Sequence, residues 1–353
     1  MERIGSARNF NIVPLLGVIA GCALALSVHV AAATPPDPLE QGAALLRQGD
    51  LKGAEEAAKK AIHLRPSSAE AHHLLGVVLF QARKPTEAAD AFLHALKLKP
   101  GYAEALNDLA EVYLAQGKSV EAEQTLARAI EADPKQADSY LDLAKLRLQR
   151  RDETGAKKLY QDLLKVMPAQ QDALFELATL YDNLGDIKAA RDTLNRLTKA
   201  NPKHANAWYL NGRIAERNNE LAEAAYAYKQ AIAAKPDLVD AHYNLGFLYR
   251  SQNKPHEAER EFLEVLRYRP EYAEAHMNLG VIYTSLSQLE DAERAYERAV
   301  SLKPDYAEAH YNLGVFYELH RKDMPKALAQ YRKYRELGGR DDRVERIVGS
   351  TFR

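Results

Sequence analysis

Residues 273–306 read AEAHMNLGVIYTSLSQLEDAERAYERAVSLKPDY, and their apolar positions fall at helical spacing in two runs separated by a polar break. The pattern predicts a hairpin of two helices. It recurs along the chain. Pro66, Pro100, Pro134, Pro168, Pro202, Pro236, Pro270 and Pro304 stand 34 residues apart without a slip. Ala54, Ala88, Ala122, Ala156, Ala190, Ala224, Ala258 and Ala292 keep the same beat, twelve residues ahead of each proline. A period held that long predicts one elongated body in which every unit packs on its neighbours. The invariant alanine marks a point with no room for a larger side chain.

The turn chemistry agrees with the period. Gly49, Gly117, Gly185, Asn219 and Asn253 fall between the two helices of their units, and these residue types tolerate the left-handed backbone that closes a helix. Pro85 and Pro255 stand where a second helix begins, where a missing N–H costs nothing because that donor is unpaired anyway. The periodic prolines then close the second helix.

The units resemble the tetratricopeptide repeat, whose pattern of Leu-Gly, Tyr, Ala, Phe and Pro is met by Leu245, Gly246, Tyr249, Ala258, Phe262 and Pro270. The resemblance covers residues 35–340 as nine units beginning near 35, 69, 103, 137, 171, 205, 239, 273 and 307. It implies an all-α fold, a right-handed α-solenoid of helix-turn-helix repeats. Gly76, Ala88 and Ala95 then form the set of small residues that lets one hairpin close. In the first unit Pro35, Pro36 and Pro38 delay the first helix, with Asp37 as N-cap and Pro38 at its first position. The ninth unit carries one extra residue, placed by its sequence around Met324 and Pro325, and ends at Gly338 and Gly339 instead of proline. Val344, Ile347 and Val348 at helical spacing predict that residues 341–353 hold a short capping helix.

Composition narrows the function. With 48 basic and 49 acidic residues the net charge is -1, so no global field points to nucleic acid or anionic lipid. The one cysteine, Cys22, lies in the N-terminal segment, which leaves residues 35–353 without disulfides, cysteine metal sites or thiol chemistry. Arg3 and Arg8 precede an uncharged run from Asn9 to Pro36, the pattern of an export signal. Residues 1–33 therefore read as a signal peptide or membrane anchor, with three fates open. Ala31 and Ala33 suit cleavage before Thr34; Ile19, Ala20, Gly21 and Cys22 resemble a lipobox with Cys22 as the lipidation site; the run is also about long enough to span a bilayer uncleaved. The expected location is the periplasm or cell envelope, with any membrane contact made through this segment alone.

In the family, first helices line a concave groove, the default binding surface. Asn244, Asn278 and Asn312 stand two residues before the glycine of their units. This resembles the asparagine ladder of O-GlcNAc transferase-type arrays, which implies side-chain amides that hold an extended peptide by its backbone. One amide both donates and accepts, so such a ladder would not read sequence. Three asparagines making one or two bonds each would supply roughly 3 to 6 kcal/mol at about 1 kcal/mol per bond. Micromolar binding needs about 8 kcal/mol, so the flanking Tyr243, Met277, Tyr311, Phe247, Val281 and Val315 are the further candidates. The plainer reading is a consensus asparagine beside aromatics that pack between units.

In the middle units the asparagine place becomes Asp108, Asp142 and Glu176, near Lys145, Arg213 and Arg217. A carboxylate clamp would need a cation one turn before each asparagine, and Asp240, Glu274 and Glu308 occupy that turn. His242, His276 and His310 also repeat, but neighbouring hairpins about 9 to 10 Å apart cannot share one ion held at about 2 Å. They read as packing residues in place of the tryptophan that Trp208 supplies once. No nucleotide loop, zinc-protease helix or nucleophile elbow occurs, and His256-Glu257 lacks a second histidine. The expectation is a non-catalytic adaptor that needs no metal or cofactor and binds proteins or extended peptides, with no nucleic acid and no small-molecule substrate. The alternative is a structural component of an envelope assembly, acting through repeat ends or the convex face.

Overall fold

A computed structural model describes residues 36–350. The export-signal readings, including Cys22, lie outside them. The described residues form α-helices and one π turn. The first four hairpins are α1 and α2 (Pro38–Arg47, Leu51–Leu64), α3 and α4 (Ala69–Gln81, Pro85–Leu98), α5 and α6 (Ala103–Ala115, Ser119–Ala132), and α7 and α8 (Ala137–Gln149, Glu153–Val166). Next come α9 and α10 (Gln171–Asn183, Ile187–Ala200), α11 and α12 (Ala205–Arg217, Leu221–Ala234), and α13 and α14 (Val239–Ser251, Pro255–Tyr268). The last are α15 and α16 (Ala273–Ser285, Leu289–Leu302) and α17 and α18 (Ala307–Phe316, Met324–Glu336), with α19 (Asp342–Ser350) behind them.

Capping fixes these ends. Asp37 accepts from the Leu39 amide at 3.2 Å with Pro38 opening α1, and Asp50, Asp152 and Asp186 accept from the amides of Gly53, Gly155 and Ala189 to open α2, α8 and α10. Between the two helices of each unit one residue takes positive φ: Gly49, Arg83, Gly117, Arg151, Gly185, Asn219, Asn253 and Ser287, again 34 apart. Geometry imposes that turn even where arginine or serine must adopt it.

The ninth unit departs from its sequence reading. Its left-handed residue is Lys322, one place late, and the extra residue is absorbed ahead of it in the π turn Tyr317–Arg321 that ends the first helix. Met324 and Pro325 therefore begin an ordinary second helix, capped by Asp323 on the Lys326 amide at 3.0 Å.

Within a hairpin, small faces large. A Cβ on Gly76, Gly212, Gly280 or Gly314 would meet the ring of Phe92, Tyr228, Tyr296 or Tyr331 at about 2.5 to 2.6 Å. The second-helix alanines Ala88 and Ala95 are wholly buried beside Phe92. Where the first helix carries alanine, the second carries leucine at Ala110 with Leu126 and at Ala178 with Leu194, whereas Ala144 is matched with Tyr160. The result is an α-solenoid whose core runs as a chain of clusters along the stack. First helices of neighbouring units touch (α1 with α3, α3 with α5, α9 with α11, α13 with α15, α15 with α17) more closely than second helices do. The stack therefore curves with its first helices inside.

Candidate functional site

The inner face is built from one helical position repeated along the first helices. Three residues beyond the asparagine place stand Glu111 on α5, Lys145 on α7, Thr179 on α9, Arg213 on α11, Phe247 on α13, Val281 on α15 and Val315 on α17. Lys145 and Arg213 are exposed, Phe247 is 40 % exposed despite its size, and Thr179, Val281 and Val315 are half-buried. The Arg250 guanidinium, one turn along α13, lies 4.7 Å over the Phe247 ring.

The asparagines do not present a uniform ladder. Each turns its amide toward the residue 35 positions earlier, on the preceding first helix: Asn244 donates to the Tyr209 hydroxyl at 3.4 Å, Asn278 to the Tyr243 hydroxyl at 3.3 Å, and Asn312 to the Met277 sulfur at 3.5 Å. Asn278 is only 1 % exposed, donates also to the Glu274 carbonyl at 2.7 Å, and accepts from Arg250. Met277, at 3 %, packs with Ala299 and Ala309. The sequence reading offered both residues to a ligand, and burial corrects it: the Asn278 amide is satisfied inside the chain and the Met277 side chain is core. Tyr243 is half-buried against Phe262 (5.6 Å between ring centroids) and Tyr272 (5.3 Å), and Tyr311 packs on Tyr334 (5.2 Å). Asn244, Asn312, Phe247, Val281 and Val315 remain within reach of solvent.

The same 35-residue step organises the middle units, where Asp108 accepts from His73 at 2.7 Å and Arg217 pairs with Asp182. Glu216 accepts from the Tyr228 hydroxyl at 2.5 Å. Burial, followed by that hydrogen bond, drives the tyrosine pKa upward, so it stays a donor. First-turn acids are engaged as well, Glu274 with Lys303 at 2.8 Å and Asp240 with Arg269 at 3.9 Å. The signal that would have revealed these inter-unit bonds, a hydroxyl, sulfur or imidazole 35 residues before Asp108, Asn244, Asn278 and Asn312, is present in the sequence but looks incidental until neighbouring helices are seen to be offset by one residue.

A family model described as tetratricopeptide repeat matches residues 39–103, 141–192, 175–239 and 243–293, a second of the same description matches 79–146, and one described as TPR repeat matches 281–320. The chain belongs to the tetratricopeptide repeat family. Membership makes it a protein-interaction scaffold by architecture. Among solved structures, one titled as the functional characterization of Pseudomonas aeruginosa pilF is 24% identical and covers 56% of this chain and 90% of that one, with a TM-score of 0.49. MamA protein is 23% identical over 49% of this chain and 94% of that one, with a TM-score of 0.44. YrrB, described as a TPR protein with an unusual peptide-binding site, is 21% identical over 53% and 96%, with a TM-score of 0.44. No curated protein matches.

The tryptophan place of this tetratricopeptide array has a definite job. Trp208 donates its indole N–H to the Pro202 carbonyl at 2.9 Å, and His242, His276 and His310 turn Nε2 to the carbonyls of Pro236, Pro270 and Pro304 at 3.0 Å each. A carbonyl only accepts, so each imidazole carries its proton on Nε2. The ring thus ties the start of one unit to the proline that closes the previous one, and that nitrogen is not free to ligate a metal. On the outer side, a cleft of about 450 Å³ between α12 and α14 is floored by His242 and Leu245 and rimmed by Lys229, Arg260 and Glu264.

Proposed function

We propose that this tetratricopeptide protein is an exported, non-catalytic adaptor that holds protein or peptide segments against the inner face of its solenoid. The observation that carries the reading is the row Arg213, Phe247, Val281 and Val315, in which a large aromatic ring stays 40 % exposed in line with two further apolar side chains on the inner face. Asn244 and Asn312 flank that row. Export rests on Arg3, Arg8 and the uncharged run that follows them. The test is crosslinked affinity purification from the native envelope with the full chain, Phe247→Asp combined with Asn244→Ala on the inner face, and Leu263→Asp on the outer face, where Leu263 is an exposed side chain of α14. Partners lost with the inner-face variant and kept with Leu263→Asp support the adaptor. The opposite pattern would move the function to the convex face and to an assembly role. Asn278 is left intact because changing it would disturb the packing of α13 on α15.

A further inference from the structure

We infer that two copies of this chain pair about a two-fold axis through the outer face of the sixth unit, with α12 of one lying antiparallel on α12 of the other. The inference stands apart from the groove reading, since such a pair leaves both inner faces open. It begins in the period. At the Tyr226 place units one to five, seven and eight carry a charged side chain or glutamine, and at the Ala233 place lysine, arginine, glutamate, histidine or serine. Among the first eight units only the sixth is apolar at both. Both residues are exposed, Tyr226 by 57 % with its ring edge-on to Trp208 at 5.8 Å between centroids. Curvature spreads the second helices on the outer side, and alanine at 233 leaves the gap between α12 and α14 open as the cleft of about 450 Å³ walled by Ile232, Ala233 and Leu263. One surface therefore holds both a projecting ring and a hole.

A surface of that shape is complementary to itself. Tyr226 and Ala233 lie two turns apart on one side of α12, about 10 Å at 1.5 Å per residue. An antiparallel copy centred between Lys229 and Gln230 sets each Tyr226 over the other's Ala233 and cleft, so that one contact is made twice, as a two-fold interface requires. The rim favours the same occupant. Its cations are Lys229 and Arg260, and its carboxylates are Glu261, bonded to His242 at 2.7 Å, and Glu264, paired with Arg267 at 3.2 Å. A partner with an even mixture of charge meets no net repulsion there, and a chain of 48 basic and 49 acidic residues is such a partner. Lys229 is drawn off the axis, its ammonium 5.6 Å from the centre of the Tyr249 ring. A contact centred on one helix per copy falls below the roughly 800 Å² per partner of a standard interface, which makes the pair reversible.

The test is sedimentation equilibrium of the full chain from about 1 to 300 µM. Wild type is compared with Tyr226→Asp and Ala233→Lys, which install the side chains that Asp192 and Lys199 supply at the same places of the fifth unit, so both variants should melt as wild type does. Wild type is expected to pass from one chain mass toward two as concentration rises, and each variant to weaken that association at least about tenfold. A second arm fixes the register. Chains carrying Cys22→Ser with Tyr226→Cys, and Cys22→Ser with Ala233→Cys, are oxidised separately and mixed, and the mixture should form a disulfide-linked pair faster than either alone. A wild type that stays at one chain mass throughout overturns the inference and leaves the patch to a different partner. Association that both variants retain in full places the contact elsewhere and overturns it too, as does crosslinking no faster in the mixture. The groove reading is untouched by any of these outcomes, because the inner-face variant of the purification above tests it separately.

Discussion

His242 is held between two acceptors from different parts of the fold. Its Nε2 donates to the Pro236 carbonyl at 3.0 Å and its Nδ1 meets the Glu261 carboxylate at 2.7 Å, so both nitrogens face acceptors. Burial alone opposes a charged ring, but the bonds to Glu261 and Pro236 outweigh it and raise the pKa above the ordinary 6.5. Glu264 adds to that, while Lys229 and Arg260 line the same cleft. A histidine whose folded pKa is raised contributes stability that is complete below the unfolded pKa and lost as pH rises through the folded one. His276 works the other way, since burial lowers its pKa and its contribution is lost as pH falls. The comparison that isolates His242 is wild type against Glu261→Gln, by urea midpoint across about pH 5.5 to 9. Wild type should hold an advantage at the acid end that shrinks above pH 6.5, and parallel profiles would contradict the pairing. At this scale the sequence was partly legible. Histidine in the tryptophan place was readable from the period, but its partners were not, because Glu261 lies on another helix and Pro236 is reached through a carbonyl. Asn278 was misread for a related reason: residue type advertises hydrogen-bonding capacity, and only packing decides whether a neighbour has already used it.

The helical hairpin depends on the closeness of its two helices. In the eighth unit a Cβ on Gly280 would stand 2.5 Å from the Tyr296 ring, which is itself 4 % exposed and cannot swing out without opening a hole. Gly280→Ala should cost about 1 to 3 kcal/mol through overpacking, although alanine is the better helix former by roughly 1 kcal/mol. Adding Tyr296→Leu should recover part of the loss, since the chain uses alanine with leucine at Ala110 and Leu126 and at Ala178 and Leu194. Chemical denaturation of the two variants checks both statements, and a single variant as stable as wild type would mean that the helices have slack. The hairpin is also the scale at which the sequence was most readable. Glycine, alanine and proline recur because each answers a steric demand repeated in every unit. The left-handed turns at Arg83, Arg151 and Ser287 carry no such chemical mark, and only their distance from Gly49 reveals them. The extra residue of the ninth unit was placed too late, because an insertion inside a helix leaves the apolar pattern ambiguous. Packing resolves it, with Phe316 and Tyr317 both buried on either side of the π-turn boundary.

A stack of hairpins has two ends, and each interior unit leaves an apolar side that its neighbour must cover. At the start, Gln41 is exposed at the place where Leu109, Leu143, Leu177, Leu245, Leu279 and Leu313 are buried, a polar replacement that the interior sixth unit also carries at Asn211. At the other end the ninth hairpin keeps an apolar side and α19 covers it. Val344 is 0 % and Val348 1 % exposed, in one cluster with Phe316, Tyr317 and Tyr331. Asp341 caps α19 at the Val344 amide at 2.9 Å, and ion pairs from Arg343 to Glu318 (2.6 Å) and Arg335 to Glu345 (3.1 Å) hold its position. Burying two valines contributes about 3 to 6 kcal/mol at roughly 1.5 to 3 each. Because each unit contacts only its neighbours, losing that contribution should stay local. Val344→Asp with Val348→Asp is therefore expected to raise hydrogen exchange in α17 and α18, leave α1 to α12 protected as before, and promote self-association through the uncovered aromatic side, seen as concentration-dependent mass by light scattering. Exchange raised evenly along the whole chain would show that the array melts as one cooperative block, and a monomer with unchanged exchange would show that α19 only rests on the stack.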